Sequence, residues 1–249
     1  MAGFRMSRKG AALLLAGAAC AAAAGAAVLP ARWLFAVLPD DAPVALADAS
    51  GTLWRGSAWI ALGPPGARRM LPQPVQWQWR WSALALDVTH PWLQGPLRAS
   101  PAWNGLALSA QSLRAPASVL AALGAPWNTM APQGMLEIAW QPLRLGAALP
   151  SGPVAELRWR NAGTALAPVA SVGTYVLRVQ GGKAGATLAL STENGLLDVT
   201  GQGSATGRGL RFQGQASYAR SAGEADRAAL DGLMSMLGRR SGDTVEFGT

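Results

Sequence analysis

Residues able to make or break bonds are sparse in this 249-residue chain. Its one cysteine, Cys20, can close no internal disulfide, and its one histidine, His90, falls in a stretch, Val88-Thr89-His90-Pro91, that reads as a turn. A zinc ion bound here would draw nearly all its ligands from carboxylates, a donor set foreign to structural zinc sites. The thirteen acidic residues supply two close pairs, Asp40-Asp41 in a Pro-rich stretch and Glu193 with Asp198 about a turn. Glycoside hydrolysis needs two converging carboxylates, and neither pair is placed for it. No Gly-x-Ser-x-Gly elbow, phosphate-binding loop or His-Glu-x-x-His occurs. The run Gly201-Gln202-Gly203-Ser204-Ala205-Thr206-Gly207 comes near a dinucleotide fingerprint, but its third glycine is misplaced and it reads as hairpin glycines. A chain without catalytic residues, metal, cofactor or small-molecule substrate is expected.

Tryptophan carries more information. The stretch QPVQWQWRWSALAL (73–86) sets Trp77, Trp79 and Trp81 at alternate positions, which in a strand puts them on one face with Gln76, Gln78 and Arg80 on the other. Leu84 and Leu86 have the opposite parity, so the pattern switches face near Ser82, as at a β-bulge or bend. Each buried tryptophan is worth on the order of 3 to 5 kcal/mol gross, which favours inner-face packing. An open stacking site for sugars or single strands is the rival reading, but the polar neighbours lie on the wrong face to serve it. Trp54, Trp140 and Trp159 join these three as a candidate apolar face or partner surface.

The net charge of +8 is spread out. Arg5, Arg8 and Lys9 precede an uncharged segment, every acidic residue follows it, and beyond it only Arg68-Arg69 and Arg239-Arg240 are adjacent cation pairs. That is not the basic stripe of a nucleic-acid binder, and no nucleic-acid partner is expected.

The uncharged segment, residues 10–31, would span about 33 Å as a helix, enough to cross a hydrocarbon core. Leu13, Leu14, Leu15, Val28 and Leu29 are its strongest apolar contributors, with Trp33 and Phe35 as interfacial anchors. The cations before it orient the N-terminus toward the cytoplasm. Cleavage as a signal peptide and lipidation at Cys20 are the alternatives. The expected layout is a cytoplasmic N-terminus (1–9), an anchor contacting membrane lipids (10–31), a linker (32–48) and an exported β domain (49–249).

Apolar alternation broken by turn signals predicts strands over 52–62, 75–88, 97–109, 136–145, 155–161, 175–180, 186–191, 196–201 and 210–218. Their number predicts a mainly β, antiparallel domain, either a sandwich or a long curved sheet. Gly51, Gly95, Gly134 and Gly195 recur at strand boundaries as a faint internal echo. Two short helices are expected, over 116–123 and over 224–237, where Leu230, Leu233, Met234 and Leu237 form one stripe that should lie on the sheet.

From Ala49-Ser50-Gly51-Thr52-Leu53-Trp54-Arg55-Gly56-Ser57-Ala58 onward the chain resembles the N component of the bacterial type II secretion system. The likeness continues through Val75-Gln76-Trp77-Gln78-Trp79, the Ala115-Pro116-Ala117-Ser118-Val119-Leu120 segment and Pro132-Gln133-Gly134. It then takes in 156–162, Gly173-Thr174-Tyr175, 191–197 and 233–243. The resemblance implies a single-pass inner-membrane protein with a periplasmic domain, an accessory part of the machine that exports folded proteins, with other secretion subunits as partners and no catalytic residues. A second expectation, from the aromatic inner face, is a periplasmic lipid-binding or lipid-bridging protein of AsmA-like or LptC-like type.

Overall fold

A computed structural model describes residues 8–33, 39, 41–125, 127–146, 148–207 and 209–248, with side chains from residue 16 onward. Helix α1 (Arg8–Ala27) precedes the β domain, whose first strand begins at Val44. Numbered along the chain, β1 (Val44–Gly51), β2 (Arg55–Leu62), β4 (Val75–Arg80), β5 (Ala85–Thr89), β6 (Leu97–Ala102), β7 (Gly105–Leu108) and β10 (Leu143–Leu145) form one antiparallel sheet in that order, with the short β3 (Arg69–Met70) also on β2. A second sheet runs β8 (Gln111–Pro116), β9 (Gln133–Trp140), β11 (Gly152–Gly163), β12 (Gly173–Gly182), β13 (Gly185–Gly195), β14 (Leu197–Thr206), β15 (Gly209–Tyr218), β17 (Thr244–Gly248) and β16 (Arg239–Ser241). Strand neighbours are largely sequence neighbours, the mark of a meander built from hairpins.

The two sheets share one ribbon. Strands β7 and β8 are separated only by Ser109 and Ala110, and β9 and β10 only by Gln141 and Pro142. Leu108 faces Leu143 on one side of this gap and Gln111 faces Trp140 on the other, so the antiparallel register passes through without slippage. Trp140 Nε1 donates to Ser109 O across it, at 3.1 Å. The large apolar residues change parity at the gap on both strands: Leu106 and Leu108 give way to Leu113, and Leu136 and Ile138 to Leu143 and Leu145. Such a break is how a strand pair turns from one sheet into the next while keeping its greasy side inward.

Each sheet has its own core. In the second, Val172, Leu197, Ala216 and Val245 pack with Leu230, Leu233 and Met234 of α3 (Glu224–Leu237), the last three no more than 5% exposed. The helix holds the expected bounds and stripe. In the first sheet the core is smaller, Ala58 and Trp77 with Ala31 from the end of the N-terminal segment.

Several expected strands resolve into hairpins. The 75–88 run is β4 and β5 joined by a 3₁₀ turn at Trp81–Ala83, with Leu84 in the left-handed region at φ 45°; the face switch near Ser82 is a reversal of direction, not a bulge or bend. The 97–109 run is β6 and β7 turning at Trp103-Asn104, where Gly105 adopts φ 133°. The 116–123 segment is a 3₁₀ helix, Ala117–Leu123, and a further one-turn helix, α2 (Trp127–Met130), follows. Strands β1, β3, β8, β16 and β17 lie outside the expected runs.

Candidate functional site: the helix exit and the two-faced sheet

Where α1 ends, its last carbonyls lack helical partners. Trp54 supplies one: its indole N–H donates to Ala26 O at 2.7 Å. Leu53 N–H donates to Leu29 O, Pro30 bridges Thr52, and Ala31 is buried, so the segment leaving the helix is stitched to the β1–β2 turn. Trp54 sits 4.8 Å from Trp81 and 6.4 Å from Trp79, ring centre to ring centre, forming a three-ring cluster.

The predicted three-tryptophan face therefore divides. Trp77 is buried, with its ring over Gly56, where a Cβ would lie 2.6 Å from Trp77 Cζ2, and its N–H shared by the carbonyls of Thr52 and Leu53. Trp79 is half-buried, and its N–H is buried with no partner among the described residues. Trp81 lies in the turn, 61% exposed. Leu84, Val28 and Trp33 are similarly open around the helix exit. Trp140 and Trp159 belong to the other sheet, both half-buried on its apolar face. Of the expected anchor residues, Leu13, Leu14 and Leu15 lie in α1 as backbone only, Leu29 is half-buried, and Phe35 falls outside the described residues. Among the described residues no helix is long and apolar enough to cross a membrane.

Both sheets are polar on one face and apolar on the other. In the first, Asp87 accepts from Arg80 and Arg98 on neighbouring strands, and the Arg98 and Arg80 hydrogen bonds hold its carboxyl below the usual carboxylate range against the opposing effect of burial. In the second, Glu137 pairs with Arg114 and Arg160, while Arg158 bridges Glu156 and Glu193. Glu193 is thus taken up in a charge ladder, and Asp198 is not its partner in a carboxylate pair. The opposite face carries Ile138, Leu157, Leu177 and Leu190, each directly opposite the next in register. Gly201 and Gly203 lie mid-strand in β14, where a Cβ would come within 2.7 Å of the Phe212 ring; the glycines suspected of hairpin work let that ring lie flat on the sheet. His90 is buried, accepting from Trp92 N–H and within 3.3 Å of Gln73 O, a structural arrangement.

Sequence reasoning missed the residues that α3 covers: Trp127, Met130, Val172, Tyr175, Val199 and Phe247 line an apolar cavity beneath it. The α3 stripe was the available signal, since it had to face something. Burial, with Asp198 nearby, pushes the Tyr175 phenol well above its ordinary range, so it stays neutral, and it donates to Leu197 O. A broad depression of about 930 Å³ lies over β14, β15 and β17 among Gln202, Gln213, Gln215, Arg239 and Glu246. It contains neither a nucleophile–base pair nor two convergent carboxylates. Among the described residues no group of His, Cys, Asp or Glu could hold a metal ion.

These features define a class: a meandering two-faced β scaffold with a helix at its entrance, whose assets are surfaces. The chain belongs to the family of type II secretion system protein N, whose family model matches residues 42–245. Comparison with curated proteins and with solved structures returns no match. The family assigns the chain to the type II secretion apparatus of the cell envelope.

Proposed function

We propose that this chain is an accessory inner-membrane component of the type II secretion machinery, tethered by residues 10–31 with its N-terminus cytoplasmic, whose periplasmic β domain is a non-catalytic interaction module. The family match over residues 42–245 is the observation that carries the reading. The tether is supported by the absence of charge from Gly10 to Ala31 and by the cations Arg5, Arg8 and Lys9 before it. The exposed rings of Trp33 and Trp81, beside Trp54 at the helix exit, suit a membrane–water interface, where an aromatic body and a polar N–H are both satisfied.

Contact with other secretion subunits is proposed at β1. Six of its eight residues pair with β2, around a bulge at Asp48-Ala49, and among the described residues no strand pairs with its other side; it carries neither lysine nor proline at that edge. At the far end β16 is three residues long and begins Arg239-Arg240, a guarded edge. An extended segment of a partner could add to β1 by main-chain pairing. A photo-crosslinking residue at Ala45 or Ala47, in cells producing the whole apparatus, is expected to capture another secretion subunit, whereas the same residue at Arg239 captures none. Equal capture at both positions, or at neither, refutes the assignment of β1.

A further inference from the structure

Helix α3 does not fill the space it covers. A cavity of about 230 Å³ remains between it and the sheet, walled by Trp159, Tyr175, Leu190 and Phe247 on one side and Leu233 and Leu237 on the other. No charged side chain lines it. Three of its polar side chains are already engaged: Tyr175 Oη donates to Leu197 O, Trp159 Nε1 to Gln133 O, and Thr164 Oγ1 to Met130 O. Water inside would lack partners, and an apolar cavity of roughly 150 Å³ is known to stay dry and to take up benzene.

The walls continue beyond the helix. Leu190 lies opposite Leu177, Leu177 opposite Leu157, and Leu157 opposite Ile138, all half-buried, so an apolar stripe leads from the cavity across the strands. A Cβ at Gly214 would lie 2.5 Å from Phe247 Cζ; the glycine lets this ring, like that of Phe212, lie against the backbone and form a flat floor. The charge ladder is confined to the other face. An extended peptide would leave its amides unpaired here, at a cost of several kcal/mol each. A partner helix, about 10 Å across, is too wide for the cavity. A flexible hydrocarbon chain meets neither obstacle.

We propose that the cavity beneath α3 binds a single fatty acyl chain, threaded between the helix and the inner face of β11 to β14 with its polar end in solvent. The inference stands on the cavity alone and does not rest on the secretion role.

The test uses the full chain in phosphatidylcholine nanodiscs with a palmitic acid analogue carrying a diazirine on its chain. Irradiation and peptide mapping are expected to place label on β11, β13 and α3 around Trp159, Leu190 and Leu237, and excess palmitate to remove it. Val199→Phe and Leu190→Trp, each of which fills the cavity, should lower this label about tenfold while leaving the circular dichroism spectrum and melting temperature of the parent. Label confined to α1, label that palmitate does not displace, or undiminished label in a folded filled variant overturns the proposal. Should either variant fail to fold, the competed map of the parent decides alone.

Discussion

Asp87 shows how single residues are committed in this molecule. Its side chain is 8% exposed and takes Arg98 Nε at 3.0 Å on one oxygen and Arg80 Nε on the other, while both guanidiniums remain half in solvent. A carboxyl held below its ordinary value of 3.8 contributes stability that is fully present above that value and is lost as the pH falls through the depressed folded value. Asp87→Asn is therefore expected to cost about 1 kcal/mol at pH 7, discounted for the exposure of both arginines. Denaturant melts should show the gap shrinking as the pH is taken below 3.8; a gap independent of pH would place the effect in packing. Trp77 and Trp81, alike in the sequence pattern, diverge for an equally local reason. One lies over Gly56 with its N–H satisfied; the other is carried outward by a turn.

Among the elements, α3 is both the best determined by sequence and the most consequential. Met234 is fully buried against the second sheet, whereas Leu237 is half-buried and borders the cavity. Met234→Ala should cost about 2 to 4 kcal/mol and Leu237→Ala less than about 1.5, because side-chain loss beside an existing void removes fewer contacts. Equal losses in equilibrium unfolding would mean that the helix has no open flank. The periodicity of 224–237 was legible because apolar residues at i, i+3, i+4 and i+7 leave one solution. The hairpins were harder. The Trp81–Ala83 turn contains no Gly, Pro, Asn or Asp and places Leu84 at positive φ, so propensity argued for continuing the strand. At Asn104-Gly105 the turn signal was present, but apolar alternation on both sides masked it. Strand β1 is rich in small residues, too weakly apolar to stand out from a linker, and it begins inside the 32–48 segment read as one and runs on to Gly51. Beyond the α3 stripe the cavity left no signal in the sequence: its walls run from Trp127 to Phe247 and meet only through tertiary packing.

At the scale of the whole molecule, the parts form a sequence from helix to scaffold. Trp54 caps one of the last helix carbonyls, Ala26 O, the chain buries Ala31 in the first core, the meander turns a corner at Ser109 and Gln141, and the second sheet ends under α3. The paired charges are kept to one face of each sheet, and most of the large apolar side chains to the other, a division that suits holding and touching other molecules. Membership in the type II secretion protein N family gives that architecture its setting, and the proposed tether would fix the domain within it. The most direct measurement is on the native chain carrying a C-terminal tag: carbonate extraction of cell membranes, mass determination, and protease treatment of spheroplasts. The account predicts a full-mass chain that stays with the membrane and whose tag is lost to external protease. A trimmed chain recovered free in the periplasm, or a tag protected in intact spheroplasts, would contradict it.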